Sequence, residues 1–309
     1  MAVGAIFAAV LGLWGSRHRV VTAIAGLDWW RVAAAVPAVL VGQYMIMRTW
    51  RRVLHSFGSD LPLRAAVRVF YLAEIAKYLP GSVWSLVGQM ELCRDHGIPR
   101  RAGGTVGIVQ LALEVAAALL VATSTLPFVV GAQFGRYGWG LVIVPLVLVA
   151  LSPPVLNRLL DRVLRSLGQP PMPRRMTILD IGAALGWVLL TWPGYGLAAW
   201  LIGSGLGLHG LRGFLLSVGA WALAYGAGIA VFVTPGGLGT REFVLVVLLG
   251  PQIGTSNAIA LALLMRPVTL VGELLWAATA SILARWFGAR ELPATTHDGR
   301  PLTEAGVHP

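Results

Sequence analysis

The sequence predicts an all-α, polytopic integral membrane protein, with about seven to nine transmembrane helices in two pseudo-symmetric halves, each containing a re-entrant or broken Pro-Gly segment. Composition is the first ground. Of 309 residues, 57% are hydrophobic and 12% charged, and the mean hydropathy is +0.75. A soluble domain carries roughly 25% charge and could not cover itself with so little. The second ground is four stretches without Asp, Glu, Lys or Arg, at 137–157, 181–211, 213–240 and 243–265. Each is as long as the roughly 20 apolar residues that cross a bilayer. Backbone groups in lipid must be satisfied within the segment, and the runs lack the two-residue alternation of a membrane barrel, so the spans are helices. The third ground is a pair of breakers, Pro80-Gly81 and Pro235-Gly236, about half the chain apart.

In chain order, residues 2–15 read as a short first helix, since no basic region precedes them as in a signal peptide. A second helix covers 30–50, flanked by Trp29-Trp30-Arg31 and Trp50-Arg51-Arg52, the tryptophan–arginine pairing of a membrane–water interface. The mixed segment 62–76 reads as interfacial or half-buried. Lys77-Tyr-Leu-Pro-Gly-Ser-Val-Trp84 breaks the helix, and the polar stretch 91–101 follows. Helices are expected at 103–131 and 138–152. Residues 153–177 read as a loop, with five prolines and with five arginines against one acid, Asp161, an imbalance that places it on the cytoplasmic side. Helices then lie at 178–203 and 213–233, before the second breaker, Thr234-Pro-Gly-Gly-Leu-Gly-Thr-Arg-Glu242. An apolar piece at 243–250 leads to 254–286, too long for one straight span and read as interrupted at Arg266-Pro267. The chain thus reads as a single transmembrane domain over 1–287, with repeat halves 30–152 and 178–287 joined by the basic loop 153–177. A polar, disordered tail covers 288–309.

The net charge is +11, carried by 23 arginines and one lysine, Lys77. Arginine-favouring coding explains such a bias, and so does contact with anionic lipid head groups. Most of the arginines border apolar spans, which excludes a nucleic-acid role. A lone Cys93 excludes an intramolecular disulfide and any cysteine zinc site. His55, His96 and His209 have no metal-ligand spacing, and no catalytic triad or carboxylate pair stands out. No metal, cofactor or catalytic residue is expected.

Short or Gly/Pro-interrupted apolar segments in matching places of two halves point to a transporter site. Around the second breaker, Pro235 removes a backbone donor, while Gly236, Gly237 and Gly239 open conformations closed to other residues. A helix restarting near Thr240 offers free N–H groups to an anion, beside the phosphate-matching fork of Arg241. The plain alternative is a surface turn between two spans. Around the first breaker, Lys77 supplies a point charge near Pro80 and Gly81, followed by Trp84 and Gln89; a snorkelling interfacial lysine is the alternative. Glu114, Arg266 and Glu273 each lie within an apolar run, where charges are costly and tend to pair or line a cavity. Arg266 and Glu273 share one helix face if Pro267 leaves the helix intact. Glu242 is a ready partner for Arg241.

The two breaker segments, together with Arg266-Pro-Val-Thr-Leu-Val-Gly-Glu273, resemble the lysylphosphatidylglycerol synthase transmembrane region family of flippase-like membrane proteins over roughly residues 30–287. The resemblance implies a lipid-handling membrane protein with two related halves. The family is tied to movement of anionic or aminoacylated phospholipids between leaflets, and relatives are linked to polyprenyl-phosphate sugars and surface glycans. This chain carries no soluble aminoacyltransferase domain, and its first motif has Ser82-Val83-Trp84 where many relatives continue with glycine and charge.

The expected function is therefore a flippase of the plasma (inner) membrane. It would move an anionic phospholipid or a polyprenyl-phosphate glycolipid between leaflets for envelope biogenesis. Lys77, Arg241 and Arg266 would hold the phosphate. Trp84, Gln89 and the backbone of Thr234, Pro235, Gly236, Gly237 and Gly239 would line the path. Glu114, Glu242 and Glu273 would pair with the cations or relay a proton. Two rivals are a membrane enzyme acting on a lipid phosphate and a non-catalytic partner of envelope-glycan enzymes. The sequence does not set the oligomeric state.

Overall fold

The computed structural model describes residues 18–78, 84–130, 140–230, 237–287 and 295–296. The helix expected at 2–15 and nearly all of the tail lie outside these residues. So do eight residues of the two breakers, among them the site candidates Pro80, Gly81, Thr234, Pro235 and Gly236.

The described chain is helical throughout, apart from a two-residue antiparallel pairing of 59–60 with 295–296. Helix α1 covers Trp29–Ser56 and α2 Leu63–Ile75, followed by a 3₁₀ turn at Ala76–Tyr78. Helix α3 runs Trp84–Arg94, α4 Arg100–Val130, α5 Gly140–Ala150 and α6 Pro153–Ser166. In the second half lie α7 (Ile178–Leu189), α8 (Thr191–Ser204), α9 (Gly210–Ala230), α10 (Thr240–Ile253) and α11 (Thr255–Phe287). Among the described residues, four spans are long and apolar enough to cross a membrane: α1, α4, α7 with α8, and α11. A fifth results if α5 and α6, bent by 63°, count as one. Helices α2, α3 and α10 have 13, 11 and 14 residues, short of the roughly 20 that a full crossing needs. The expected seven to nine spans is therefore a larger number than length and apolarity alone support.

Two expectations are corrected. Residues 153–177 are not a loop throughout, because 153–166 form α6. Pro153 and Pro154 occupy the first helical turn, where their missing N–H groups cost nothing. Leu156, Leu160 and Leu164 then fall on one buried face, with Arg158, Arg162 and Arg165 at other angles. Residues 255–287 are also not interrupted at Arg266-Pro267. Helix α11 passes through Pro267 without a break, since one lost hydrogen bond is tolerated where neighbouring helices enclose the backbone. Conversely, the single helix expected at 178–203 is two abutting helices. Pro193 has no N–H to offer the carbonyl at 189, and the ladder breaks at Leu190.

Glycines set the helix spacing. A Cβ on Gly194 would sit 3.0 Å from the Ala38 carbonyl oxygen and 3.1 Å from the Gly42 Cα, so α8 and α1 touch backbone to backbone. One on Gly196 would lie 2.7 Å from the Val218 Cα of α9. Gly219 instead leaves room for the side chains of Thr125 and Leu126 of α4. In lipid, where burial supplies no hydrophobic drive between helices, close approach of small residues supplies the dispersion energy instead.

These contacts fix the direction of each helix. Arg52, near the end of α1, lies 3.2 Å from Asp180 at the start of α7, and Arg174 lies 3.8 Å from the same carboxylate. Thr177 and Asp180 close a reciprocal cap there. At the other end of α1, Arg31 donates to Ser204 at the end of α8. Glu114 bonds Tyr225, and Gly219 packs on Leu126, so α4 and α9 are antiparallel. Arg100 therefore shares a face with Arg52, the segment 153–177 and the pairing of 59–60 with 295–296. Among the described residues, arginines crowd this basic face, while Arg31 and Arg212 lie on the opposite one.

Two helical hairpins follow from these directions. Helices α2 and α3 begin and end on the basic face, the first just after Asp60 and the second just before Arg100. Helices α9 and α10 begin and end on the opposite face, where Gly207 meets Ile253. Between the two helices of each hairpin, residues 79–83 and 231–236, which include Pro80-Gly81 and Pro235-Gly236, lie outside the described residues. The halves thus enter from opposite sides.

Candidate functional site

Described residues of the two hairpins meet around a cavity of about 120 Å³. From the first come Glu74, Lys77, Ser85, Leu86 and Gln89. From the second come Tyr225, Gly228, Ile229, Gly237 and Arg241. Helix α4 adds Gly107, Gln110, Leu111 and Glu114, and α1 adds Ile46. Glu114 stands near the middle of the crossing segment Arg100–Pro127, about 20 Å from either end at 1.5 Å per residue. The cavity therefore lies level with the middle of that segment.

Lys77 is placed by the tightening of α2 into its 3₁₀ turn, as the helical ladder runs out before Pro80. Its ammonium donates to Glu74 at 2.7 Å and to Glu273 of α11 at 2.7 Å. The Tyr78 hydroxyl donates to the other Glu273 oxygen, also at 2.7 Å. One cation thus sits between two carboxylates and ties the first breaker to a helix 196 positions away.

Arg241 stands in the first turn of α10, which restarts after Gly239 at φ 83°. Its guanidinium lies 4.2 Å from the centre of the Tyr225 ring. Added Cβ atoms at Gly228 and Gly237 would lie 2.8 Å and 3.0 Å from Arg241 Nε, so two glycines make the slot for this side chain. Its buried Nε has no hydrogen-bond partner. Among the described residues, no carboxylate lies within ion-pair distance of Arg241. A buried, unsatisfied N–H on a fixed cation costs free energy until an acceptor arrives.

Glu114 is 2% exposed. Gln110 donates to it at 2.6 Å and the Tyr225 hydroxyl at 3.2 Å. Tyr225 thus stands between Glu114 and Arg241, with its hydroxyl on the carboxyl and its ring against the guanidinium.

Of the residues singled out from sequence, Lys77, Gln89, Gly237, Arg241 and Glu114 line the cavity, and Glu273 stands one bond behind Lys77. The Gln89 carbonyl is already engaged by the Trp50 indole N–H at 3.0 Å. Arg266, Glu242 and Gly239 are not in the lining. Arg266 donates to Glu242 at 2.8 Å, and Glu242 accepts from the Gly239 N–H at 2.7 Å, which caps α10. Glu242 is thus a partner of Arg266 rather than of Arg241. Trp84 is 44% exposed and outside the lining.

Ten lining residues carried no site assignment in the sequence, and three of them hydrogen-bond to Lys77 or Glu114. Glu74 was signalled by its three-residue spacing to Lys77. Gln110 lies one helical turn before Glu114. Tyr225 is the polar-tipped aromatic in an otherwise apolar, glycine-rich span. Of the three cations expected to hold a phosphate, Lys77 and Arg266 are paired with carboxylates, and Arg241, among the described residues, is not. Among the described residues, no three of His, Cys, Asp and Glu come together as a metal site.

The model of the protein family described as lysylphosphatidylglycerol synthase TM region matches residues 1–277. No curated protein matches the chain.

Proposed function

From membership of the lysylphosphatidylglycerol synthase TM region family, whose members are membrane proteins of lipid and envelope biogenesis, we propose that this protein is a flippase moving an anionic lipid head group between leaflets. The cargo is an anionic phospholipid or a polyprenyl-phosphate-linked sugar, and it passes unmodified. One observation carries this reading: Arg241, with no carboxylate partner among the described residues and with its Nε unsatisfied, faces a polar cavity level with the middle of a crossing segment, where hairpins from opposite sides meet. An anionic head group supplies the acceptor that this cation lacks, and its phosphate matches the guanidinium fork. Two hairpins of opposite entry suit alternating access, in which one half rocks against the other around a fixed site. By the charge rule for membrane proteins, the basic face is the cytoplasmic one, and a role in envelope biogenesis suits the plasma membrane.

The test is transbilayer movement of labelled lipid in proteoliposomes, with phosphatidylglycerol and a polyprenyl-phosphate sugar as the two probes. Wild type is expected to move one of them. Arg241→Ala is expected to slow that movement about tenfold or more, the loss of one charge-assisted contact. Equal rates in wild type and a folded Arg241→Ala protein would overturn the assignment.

A further inference from the structure

Four described glutamates at and beside the cavity fall into two groups. Glu74, Glu273 and Glu242 each sit against a cation at 2.7–2.8 Å. Glu114 does not: its partners are a neutral amide and a neutral hydroxyl. It is also among the most buried of the acids and lines the cavity. A carboxylate at mid-membrane depth without a cation is costly. A carboxylic acid there is not.

Among the described residues, the groups facing Glu114 are these. From α2 and its turn come Glu74 and Lys77, from α9 Tyr225, and from α10 Arg241. Helix α3 presents Ser85, Leu86 and Gln89, and α1 presents Ile46, none of them charged. Helices α5 and α7 also pack on α4, but contribute nothing to the lining. The Glu74–Lys77–Glu273 group is internally bonded. The variable charges are Arg241 with its ligand and Glu114 with its proton, one on either side of Tyr225.

We propose that Glu114 is a proton-binding site coupled to the anion site at Arg241, so that one proton and one lipid phosphate cross together. The proposal rests on the flippase reading and specifies how that site is driven. In the empty cavity, Arg241⁺ and Glu114⁻ balance across the Tyr225 ring. When a singly charged phosphodiester seats on Arg241, its charge repels the Glu114 carboxylate, which then takes a proton from water on that side. The loaded cavity holds Arg241⁺ with phosphate⁻ and neutral Glu114. Both states carry the same net charge, so neither drags an uncompensated ion through the bilayer. On the far side the lipid leaves, and the proton passes from Glu114 to water there. No other bond is made or broken. Because the coupling is reciprocal, protonation of Glu114 also tightens phosphate binding.

Three results follow for proteoliposomes holding labelled phosphatidylglycerol or the labelled polyprenyl-phosphate sugar. A pH gradient drives label from the acidic to the alkaline leaflet, toward about tenfold accumulation per pH unit at one proton per lipid. A potassium-diffusion potential of either sign leaves that accumulation unchanged, because the cargo is neutral. Glu114→Gln, which keeps the side-chain shape and the bond to Gln110, abolishes it. Lipid that moves but distributes evenly under a pH gradient overturns the coupling and leaves the flippase reading standing. If neither lipid moves, the flippase reading fails, and infrared spectra of the protein in bilayers decide the proton site alone. Wild type should show a carboxylic-acid C=O band that fades as the pH is raised and that Glu114→Gln lacks. Absence of that band overturns the proposal.

Discussion

Replacing Lys77 by Met tests whether the join between the first breaker and α11 stabilises the fold. Met keeps the length and apolar stem of the lysine and removes its charge. Glu74 and Glu273 then face each other without the ammonium that lies 2.7 Å from each. Breaking a buried ion pair by removing one partner costs about 3–5 kcal/mol. Two features hold the expected cost near the lower end. The Lys77 and Glu74 side chains are 20% and 21% exposed, so water screens part of the repulsion. Glu273, at 9%, keeps the Tyr78 hydroxyl. The expected loss is about 3 kcal/mol. Reversible unfolding in mixed micelles by a denaturing detergent, followed by tryptophan fluorescence, measures it. Glu273→Gln in the Lys77→Met background removes the stranded charge, so the double variant should be more stable than the summed single losses by about 1–3 kcal/mol. A Lys77→Met protein within about 0.5 kcal/mol of wild type, the range of inert surface changes, would refute the reasoning.

Gly228→Ala places a Cβ 2.8 Å from Arg241 Cγ and Nε; the arginine should leave the Tyr225 ring, and lipid movement should fall while unfolding stability changes by less than about 1 kcal/mol, since the displaced side chain is flexible. Gly196→Ala is the contrasting case. Its Cβ meets the Val218 Cα at 2.7 Å, so whole helices must part, and an overpacking loss of about 1–3 kcal/mol should appear in the same unfolding assay. Cys93, in α3 outside the candidate spans, has its thiol pushed up to about 12 by burial. It stays a neutral thiol at neutral and mildly alkaline pH, where the thiolate is the reactive form. Alkylation should therefore be negligible in the folded protein and should track the unfolding transition.

Much of this fold was legible because lipid imposes one rule on every span. Long apolar runs had to be helices, and α1, α4, α9 and α11 lie close to where hydropathy puts them. Proline was read less well, because its effect depends on position. Pro153 and Pro154 start α6 instead of forming a loop, Pro193 splits a run that read as one helix, and Pro267 does neither. Nothing in the local sequence distinguishes these outcomes, since tertiary neighbours decide whether a lost hydrogen bond matters. The site shows the same division. Lys77, Gln89, Glu114, Gly237 and Arg241 were found because charge and glycine are conspicuous in apolar surroundings. Their partners were not, because pairing is long-range. Only the fold brings Glu273 to Lys77 and Tyr225 to Glu114, and only the fold assigns Glu242 to Arg266, leaving Arg241 open.

The fastening of three distant segments to one face has a practical corollary. Residues 59–60 pair with 295–296, and Asp180 is gripped by both Arg52 and Arg174. The sidedness of any one of these segments is thus the sidedness of all, and it also fixes which way each hairpin opens. Cys93, the only native thiol, is buried, so the natural protein is already nearly silent to an impermeant thiol reagent. One cysteine at an exposed position such as Gln169, labelled in whole cells and again in inverted vesicles, would orient the entire molecule.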